Sequence, residues 1–127
     1  MSIPDDRRYL PSHEWHLMDD NGVCTIGITQ FAADELTDIT FVDLPEVGTA
    51  VTPDESFGEI ESVKATSDLI AGVAGDIVEV NEELAGDPSL VNTDPHETGW
   101  MVKVKTNGKE SEKLMDHRDY LSQTGAG

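Results

Sequence analysis

Short segments in which apolar and polar residues alternate dominate the sequence, and turn-forming residues separate them. Strand-like alternation covers residues 15–18, 23–28, 39–44, 57–62, 67–71, 75–80 and 100–104. In the second of these segments, a period of two places Cys24, Ile26 and Ile28 on one buried face. Many short strands separated by turns predict a mainly β fold, a sandwich or a barrel, rather than a helical bundle.

The two tryptophans are expected to lie in the core, since large aromatic side chains supply much of the apolar area of a small β protein. Trp15 begins the first strand and Trp100 begins the last. Alternation along the last strand predicts that Trp100 and Val102 share one face and that Met101 and Lys103 share the other.

A few segments carry turn or helix signals instead. Asn21-Gly22 predicts a tight hairpin between the first two strands. Thr29 is a suitable N-cap for a short helix that ends near Leu36. Residues 81–84 fit a turn or a short helix, residues from about 110 to 122 predict a C-terminal helix, and the last residues to 127 are expected to fray.

Composition narrows the class of protein. The chain has 127 residues, which suits one domain over residues 1–127, and no linker or low-complexity segment divides it. It carries 26 acidic and 8 basic residues, a net charge of −18, so it should bind neither nucleic acid nor anionic membranes. The acids are scattered rather than clustered, which favours a solvated coat, as in a halophilic prokaryote, over a docking patch for basic partners.

Cysteine usage and the N-terminus bear on the compartment. Cys24 is the only cysteine, so no intramolecular disulfide is possible, and its place in a strand predicts a buried side chain. The first ten residues lack the apolar run of a signal peptide, and no segment has the length of a membrane-spanning helix. These features predict a cytoplasmic protein.

A single lysine occupies the tip of the hairpin predicted between residues 57–62 and 67–71. Lys64 has Glu61 and Asp68 nearby and no glycine to shape the turn, so a type I turn of ordinary residues is expected. A nucleophilic lysine needs apolar burial or neighbouring positive charge, and this one has the opposite surroundings. Two interpretations remain: an unremarkable exposed lysine, or a lysine that another enzyme modifies.

The surrounding sequence resembles the H protein of the glycine cleavage system. The resemblance runs from Tyr9 to Lys105, with the tail from Leu114 to Leu121 similar to the family's terminal helix. Its motifs are YLPSHEW, VCTIGITQFAADELTDITFVDLPEVGT, FGEIESVKATSDLIAGVAGDIVEVNEEL and LVNTDPHETGWMVKVK. Within them the short motifs SHEW, FVDLPEVG, ESVKA and GWMVKV are individually modest, but together and in this order they are specific.

The resemblance implies a lipoyl/biotinyl-type flattened β barrel-sandwich of two small antiparallel sheets, with short peripheral helices and a C-terminal helix. It implies lipoate joined by an amide to Lys64, and no catalysis by the protein itself. The implied partners are a pyridoxal-phosphate glycine decarboxylase that loads an aminomethyl group, a tetrahydrofolate-dependent aminomethyltransferase that removes it, a flavin dihydrolipoamide dehydrogenase that reoxidises the dithiol with NAD, and a lipoylating enzyme. The chain is expected to be a monomer.

The resemblance also implies roles for particular side chains. Recognition by the lipoylating enzyme would rest on Glu61, Ser62, Val63, Ala65 and Asp68. A groove that protects the loaded arm would use Ser12, Glu14 and Asp68. Two positions depart from the family's pattern: Glu35 stands where some relatives carry histidine, and His96 where tyrosine is common, so details of arm docking are open.

Other functions are compatible with parts of the sequence. A biotinyl domain would place methionine on both sides of the lysine, where this chain has Val63 and Ala65, and lipoyl domains of 2-oxo acid dehydrogenases belong to long multidomain chains. A lipoyl relay or carrier for another acyl-transfer complex, an unmodified scaffold protein, and an enzyme using His13, Glu14 and His16 also remain. A zinc site is not expected, since those histidines are three residues apart and enter a strand.

Overall fold

Nine strands and four short helices make up the computed structural model, which describes residues 3–124. The strands are β1 (Arg8–Tyr9), β2 (Glu14–Met18), β3 (Val23–Ile28), β4 (Ile39–Asp43), β5 (Ala50–Val51), β6 (Ser56–Ser62), β7 (Thr66–Ile70), β8 (Val73–Val80) and β9 (Val102–Glu110). The helices are α1 (Gln30–Leu36), α2 (Glu83–Gly86), α3 (Leu90–Thr93) and α4 (His117–Thr124).

The strands form two antiparallel sheets, as predicted. The larger has the order β1-β2-β3-β9-β8-β5, and the smaller has the order β4-β6-β7. Within residues 3–124 the sheets stay separate hydrogen-bonded sets and do not close into a barrel. The mainly β prediction with short helices is therefore confirmed, and its architecture is an open sandwich.

The main apolar core joins inward-facing residues of both sheets. Ile26, Ile77 and Val104 come from the larger sheet, and Ile60 and Leu69 come from the smaller; none is more than 1% exposed. Burying such a side chain contributes about 1.5–3 kcal/mol, which makes this cluster the main stabilising element. Cys24 is also in the cluster, where burial raises the pKa of its thiol to about 12. Its predicted role as a buried residue is confirmed.

A second, smaller core fixes the C-terminal helix to the start of the chain. Tyr9 of β1 stacks on Tyr120 of α4 with ring centroids 4.6 Å apart, and Trp15 is buried beside them. Gly27 makes room for the Trp15 ring, because a Cβ there would lie 2.6 Å from a ring carbon. The prediction for Trp15 is confirmed.

The predicted faces of the last strand are wrong at its beginning. Met101 is fully buried, whereas Trp100 is only half-buried and lies against Lys103, whose Nζ is 5.0 Å from the ring centroid. The strand begins at Val102, so the alternation does not extend back over residues 100 and 101.

The predicted helix from about 110 to 122 is wrong at its start. Strand β9 continues to Glu110, because antiparallel pairing with β8 extends to the Val73–Glu110 pair. The helix begins only at His117, where the carboxylate of Asp116 accepts the free N–H of Asp119, as an N-cap does. It continues to Thr124, so residues 122–124 are helical rather than frayed, and residues 125–127 lie outside the described part of the chain.

Two local predictions concern the turns that flank β3. Gly22 has a φ of 77°, in the left-handed region open to glycine, and its N–H donates to the Asp19 carbonyl at 3.4 Å in the hairpin turn between β2 and β3. At the other end, the Thr29 side chain accepts the N–H of Ala32 and begins α1. Both predictions are confirmed, and together they place α1 directly after the hairpin.

Candidate functional site

Lys64 lies at the tip of the β6–β7 hairpin, in a turn closed by hydrogen bonds. The Ser62 N–H donates to the Ala65 carbonyl at 2.8 Å, and the Ser62 hydroxyl oxygen accepts the N–H groups of Lys64 and Ala65 at 3.2 and 3.0 Å. Neither Val63 nor Lys64 has a positive φ, in agreement with a turn of ordinary residues. The backbone that carries Lys64 is therefore held in place by these hydrogen bonds.

The hairpin tip contacts the C-terminal end of helix α1. The Val63 N–H donates to the Asp38 carbonyl at 3.1 Å, and the Lys64 Nζ donates to the Glu35 carbonyl at 3.3 Å. Carbonyls in the last turn of a helix lack helical partners and carry partial negative charge, so they attract a cation. The amine is thereby directed towards α1, and α1 has no basic residue of its own in that turn.

A cavity of about 350 Å³ lies along α1 beside this contact, and we call it the α1 groove. Its walls combine the apolar side of the helix with polar groups from the segment before β2 and from β7. The lining residues are Ser12, His13, Phe31, Ala32, Glu35, Leu36 and Ser67. Apolar walls with a few polar groups are typical of sites that hold a small organic group.

The predicted groove residues Ser12 and Glu14 are close together but differ in exposure. Ser12 lines the α1 groove, whereas Glu14 lies behind it, only 1% exposed. The Glu14 carboxylate accepts the Ser12 hydroxyl and, at 3.0 Å, the Ile70 N–H. Burial raises the pKa of Glu14 to about 7, so this carboxyl group exchanges its proton near neutral pH.

The burial of Glu14 follows from how β2 joins the smaller sheet. Glu14 and His16 point to the same side of β2, two residues apart. They accept the N–H groups of Ile70 and Gly72, at 3.0 and 2.9 Å. Where the chain leaves β7, these two side chains thus accept backbone N–H groups that a neighbouring strand would otherwise accept. Burial lowers the pKa of His16 to about 3, which keeps its ring neutral and able to accept.

The other predicted site residues surround the hairpin tip outside the groove. Asp68 is exposed and opposes Glu59 across the strands, on the outer face of β7. Ser67 opposes the buried Ile60 instead, and it is this neighbour of Asp68 that lines the groove. Glu61 is exposed next to the tip, and Val63 is 70% exposed.

The two departures from the family pattern have different places. Glu35 lines the α1 groove, so a carboxylate stands in its wall. His96 lies at the opposite end of α1, where its Nε2 accepts the N–H of Gln30 at 3.2 Å. Burial lowers the pKa of His96 to about 4 and keeps it a neutral acceptor. His96 therefore supports the beginning of the helix and does not contact the groove.

Several residues that line the α1 groove had no predicted role in a groove. Phe31, Ala32 and Leu36 were identifiable from their spacing as the apolar side of α1, but spacing alone does not show that this side stays partly open. His13 and Ser67 stood in motifs without any signal for a groove.

Residues 3–124 contain no group of three or more His, Cys, Asp or Glu side chains that could hold a metal ion. None of the helices in that range has the length and apolar character needed to cross a membrane.

Comparison with known proteins bears on the family and the fold. The family model "Glycine cleavage H-protein" matches residues 7–125. A probable glycine cleavage system H protein of Natronomonas pharaonis is 50% identical over 121 residues, 95% of each chain, and a glycine cleavage system H protein of Bacillus mycoides is 50% identical over 125 residues, 98% of each chain. The crystal structure of a glycine cleavage system H protein from Mycobacterium marinum superposes with a TM-score of 0.91 at 41% identity, covering 97% of this chain and 99% of that one. The chain belongs to the glycine cleavage H-protein family, whose members are carrier subunits of the glycine cleavage system rather than enzymes.

Proposed function

We propose that this protein carries lipoate on Lys64. The arm takes the aminomethyl group of glycine from a pyridoxal-phosphate glycine decarboxylase to a tetrahydrofolate-dependent aminomethyltransferase. It then takes electrons to a dihydrolipoamide dehydrogenase. The observation that carries the proposal is the position of the Lys64 amine, at a firm hairpin tip beside the α1 groove. A lipoyl group supplies a dithiolane that accepts a carbon unit and two electrons.

The residues present fit such an arm. Amide formation leaves one hydrogen on the Lys64 Nζ, so the Glu35 carbonyl can keep its hydrogen bond and hold the start of the arm against α1. Phe31, Ala32 and Leu36 supply apolar surface for a hydrocarbon chain. Contact with these walls removes water from the chain and favours the docked state.

Ser12 and Glu14 provide the polar end of the groove. Because the Ser12 hydroxyl donates its proton to Glu14, its free lone pairs are available as an acceptor in the groove. Glu14, with a pKa of about 7, can compensate a positive charge next to Ser12 when ionised. A primary amine on the arm is the kind of group that this pair suits.

The residues around the tip serve recognition by the lipoylating enzyme. Glu61 and Asp68 are exposed carboxylates of the two strands, and Val63 is an exposed apolar group next to the lysine. Ser62 acts indirectly, because its hydroxyl oxygen shapes the turn that presents Lys64, and Ala65 closes the same turn. In this proposal Asp68 has a recognition role and no groove role.

Intact mass after co-expression with a lipoylating enzyme tests the attachment. We expect one lipoyl adduct, lost in Lys64→Arg and kept in Lys103→Arg, a matched change on β9. The lipoylated protein should then support glycine decarboxylation with the partner enzymes, and Lys64→Arg should not. No adduct, from an enzyme that modifies another carrier in the same cells, would refute lipoylation. An adduct without glycine turnover would point to a different acyl-transfer complex.

A further inference from the structure

We infer that His13 is a positioning residue of the α1 groove, whose Nε2–H donates a hydrogen bond to an acceptor on the arm carried by Lys64. The inference rests on the proposed lipoylation. It adds a residue and a direction of hydrogen bonding to the groove, namely a donor in the same lining as the acceptors at Ser12 and Glu35.

The backbone holds His13 in an unusual conformation. Its φ is 82°, in the left-handed region that few residues other than glycine occupy. Hydrogen bonds fix it on both sides: its N–H donates to the Leu10 carbonyl and its carbonyl accepts the Thr29 N–H, each at 2.9 Å. The ring lies beside Phe31 with centroids 4.8 Å apart and lines the groove. A strained and doubly tied residue at a cavity wall indicates that the ring position matters.

A chain of hydrogen bonds assigns the proton of the neutral ring to one of its two nitrogens. Thr29 is fully buried, and its hydroxyl oxygen accepts the Ala32 N–H and lies 2.6 Å from the Tyr120 hydroxyl. Among the described residues, the Tyr120 oxygen is the acceptor within reach of the Thr29 hydroxyl proton. The Tyr120 proton is then left for the His13 Nδ1, at 2.8 Å.

The neutral His13 ring therefore has its proton on Nε2. Burial lowers the pKa of His13, with Glu35 opposing the effect, so the neutral ring is favoured. No group in the described part of the chain bonds to Nε2, and the residue is half-buried at the groove wall. The N–H is available to a ligand in the groove.

The arm offers two kinds of acceptor for this donor. One is the carbonyl oxygen of the amide that joins the arm to Lys64, and the other is a sulfur atom at the far end. In the disulfide form of the arm both are acceptors without a proton to give, so a neutral N–H complements either, whereas a second acceptor in this wall would not.

Nitrogen-15 NMR of the full chain tests the inference. The His13 ring should show the Nε2–H tautomer in the unmodified protein, and its signal should shift on lipoylation, with the adduct checked by mass. Octanoylation of Lys64 serves as a control that keeps the amide and lacks sulfur. A shift in both adducts would assign the amide oxygen, and a shift with lipoate alone would assign sulfur. An Nδ1–H tautomer, or no shift in a protein shown to be lipoylated, would overturn the inference without touching the lipoylation proposal.

A pair of variants gives a second readout. Asparagine tolerates the left-handed conformation and its amide can keep the contact with Tyr120, so His13→Asn removes chiefly the Nε2–H. We expect a water-soluble phosphine to reduce the lipoyl disulfide several-fold faster in His13→Asn than in the parent protein. His117→Asn, a matched change at a histidine that contacts Ile3, should leave the rate unchanged. Equal reduction rates in His13→Asn and the parent would contradict a role in positioning the arm.

Discussion

Replacing Glu14 by glutamine should remove a pH-dependent destabilisation of the folded state. The carboxyl group is 1% exposed, and burial raises its pKa from the ordinary 4.5 to about 7. Between pH 4.5 and 7 the folded protein binds the Glu14 proton more tightly than the unfolded chain does, so the free energy of unfolding falls as pH rises. At about 1.4 kcal/mol for each pKa unit, the Glu14 contribution between pH 4.5 and 7 is roughly 3 kcal/mol.

Glutamine has the same shape and no charge. Its amide can accept one N–H, as Glu14 does from Ile70, and can donate to the Ser12 oxygen. Urea unfolding of both proteins at several pH values from 4 to 8 gives the difference in free energy of unfolding. As pH rises from 4 to 8, we expect the free energy of unfolding of Glu14→Gln to rise relative to that of the parent protein by up to roughly 3 kcal/mol.

The comparison isolates Glu14 from the other titrating groups. His16 is buried with its pKa lowered to about 3, so its contribution to stability is lost as pH falls below the ordinary 6.5. Both proteins contain His16, and its effect cancels in the difference. Parallel stability curves for the two proteins from pH 4 to 8 would show that burial of Glu14 does not hold its proton in the folded state.

Further outcomes follow from packing and charge. Gly27→Ala should destabilise the fold by about 1–3 kcal/mol in chemical unfolding, because its Cβ would meet the buried Trp15 ring at 2.6 Å. A Cβ at Gly86 would have no atom within 4 Å, so Gly86→Ala should change the stability little, and equal effects of the two variants would contradict the packing argument. Cys24 should resist alkylation by iodoacetamide in the native protein and react fully in urea, since burial raises its thiol pKa to about 12, and rapid native labelling would show that β3 is accessible. With a net charge of −18, Tm should rise by several degrees from low to high NaCl concentration as self-repulsion is screened, and a Tm independent of salt would rule out charge repulsion as a significant term.

Local pattern was enough for seven of the nine strands, the first hairpin and the α1 cap, and it missed the two-residue strands β1 and β5. Period-two alternation needs only that one face of a strand is buried, and Asn21-Gly22 and Thr29 act within a few residues of themselves. The same reasoning was wrong over residues 110–116, where Glu110 pairs with Val73 of β8 and Met115 bridges Tyr9 of β1 instead of entering a helix. Both partners lie far away in the sequence, beyond any local window.

The candidate site divides in the same way. Its motif, its lone lysine at a turn and its family resemblance are properties of the sequence, and they pointed to Lys64 and to Ser12 directly. The exposure and direction of side chains could not be predicted from the sequence. Ser67 rather than Asp68 faces the α1 groove, and Glu14 lies behind its wall.

What the sequence alone determined is the mainly β fold, the hairpin with Lys64 at its tip and the likeness to a carrier family. Only the tertiary structure decided what surrounds that lysine. The Glu35 carbonyl reaches it across 29 positions in sequence, and the Tyr120 hydroxyl reaches His13 across 107. Contacts of this range arise when the two sheets and α4 close on shared cores, so their geometry depends on the packing of the whole chain rather than on any segment of it.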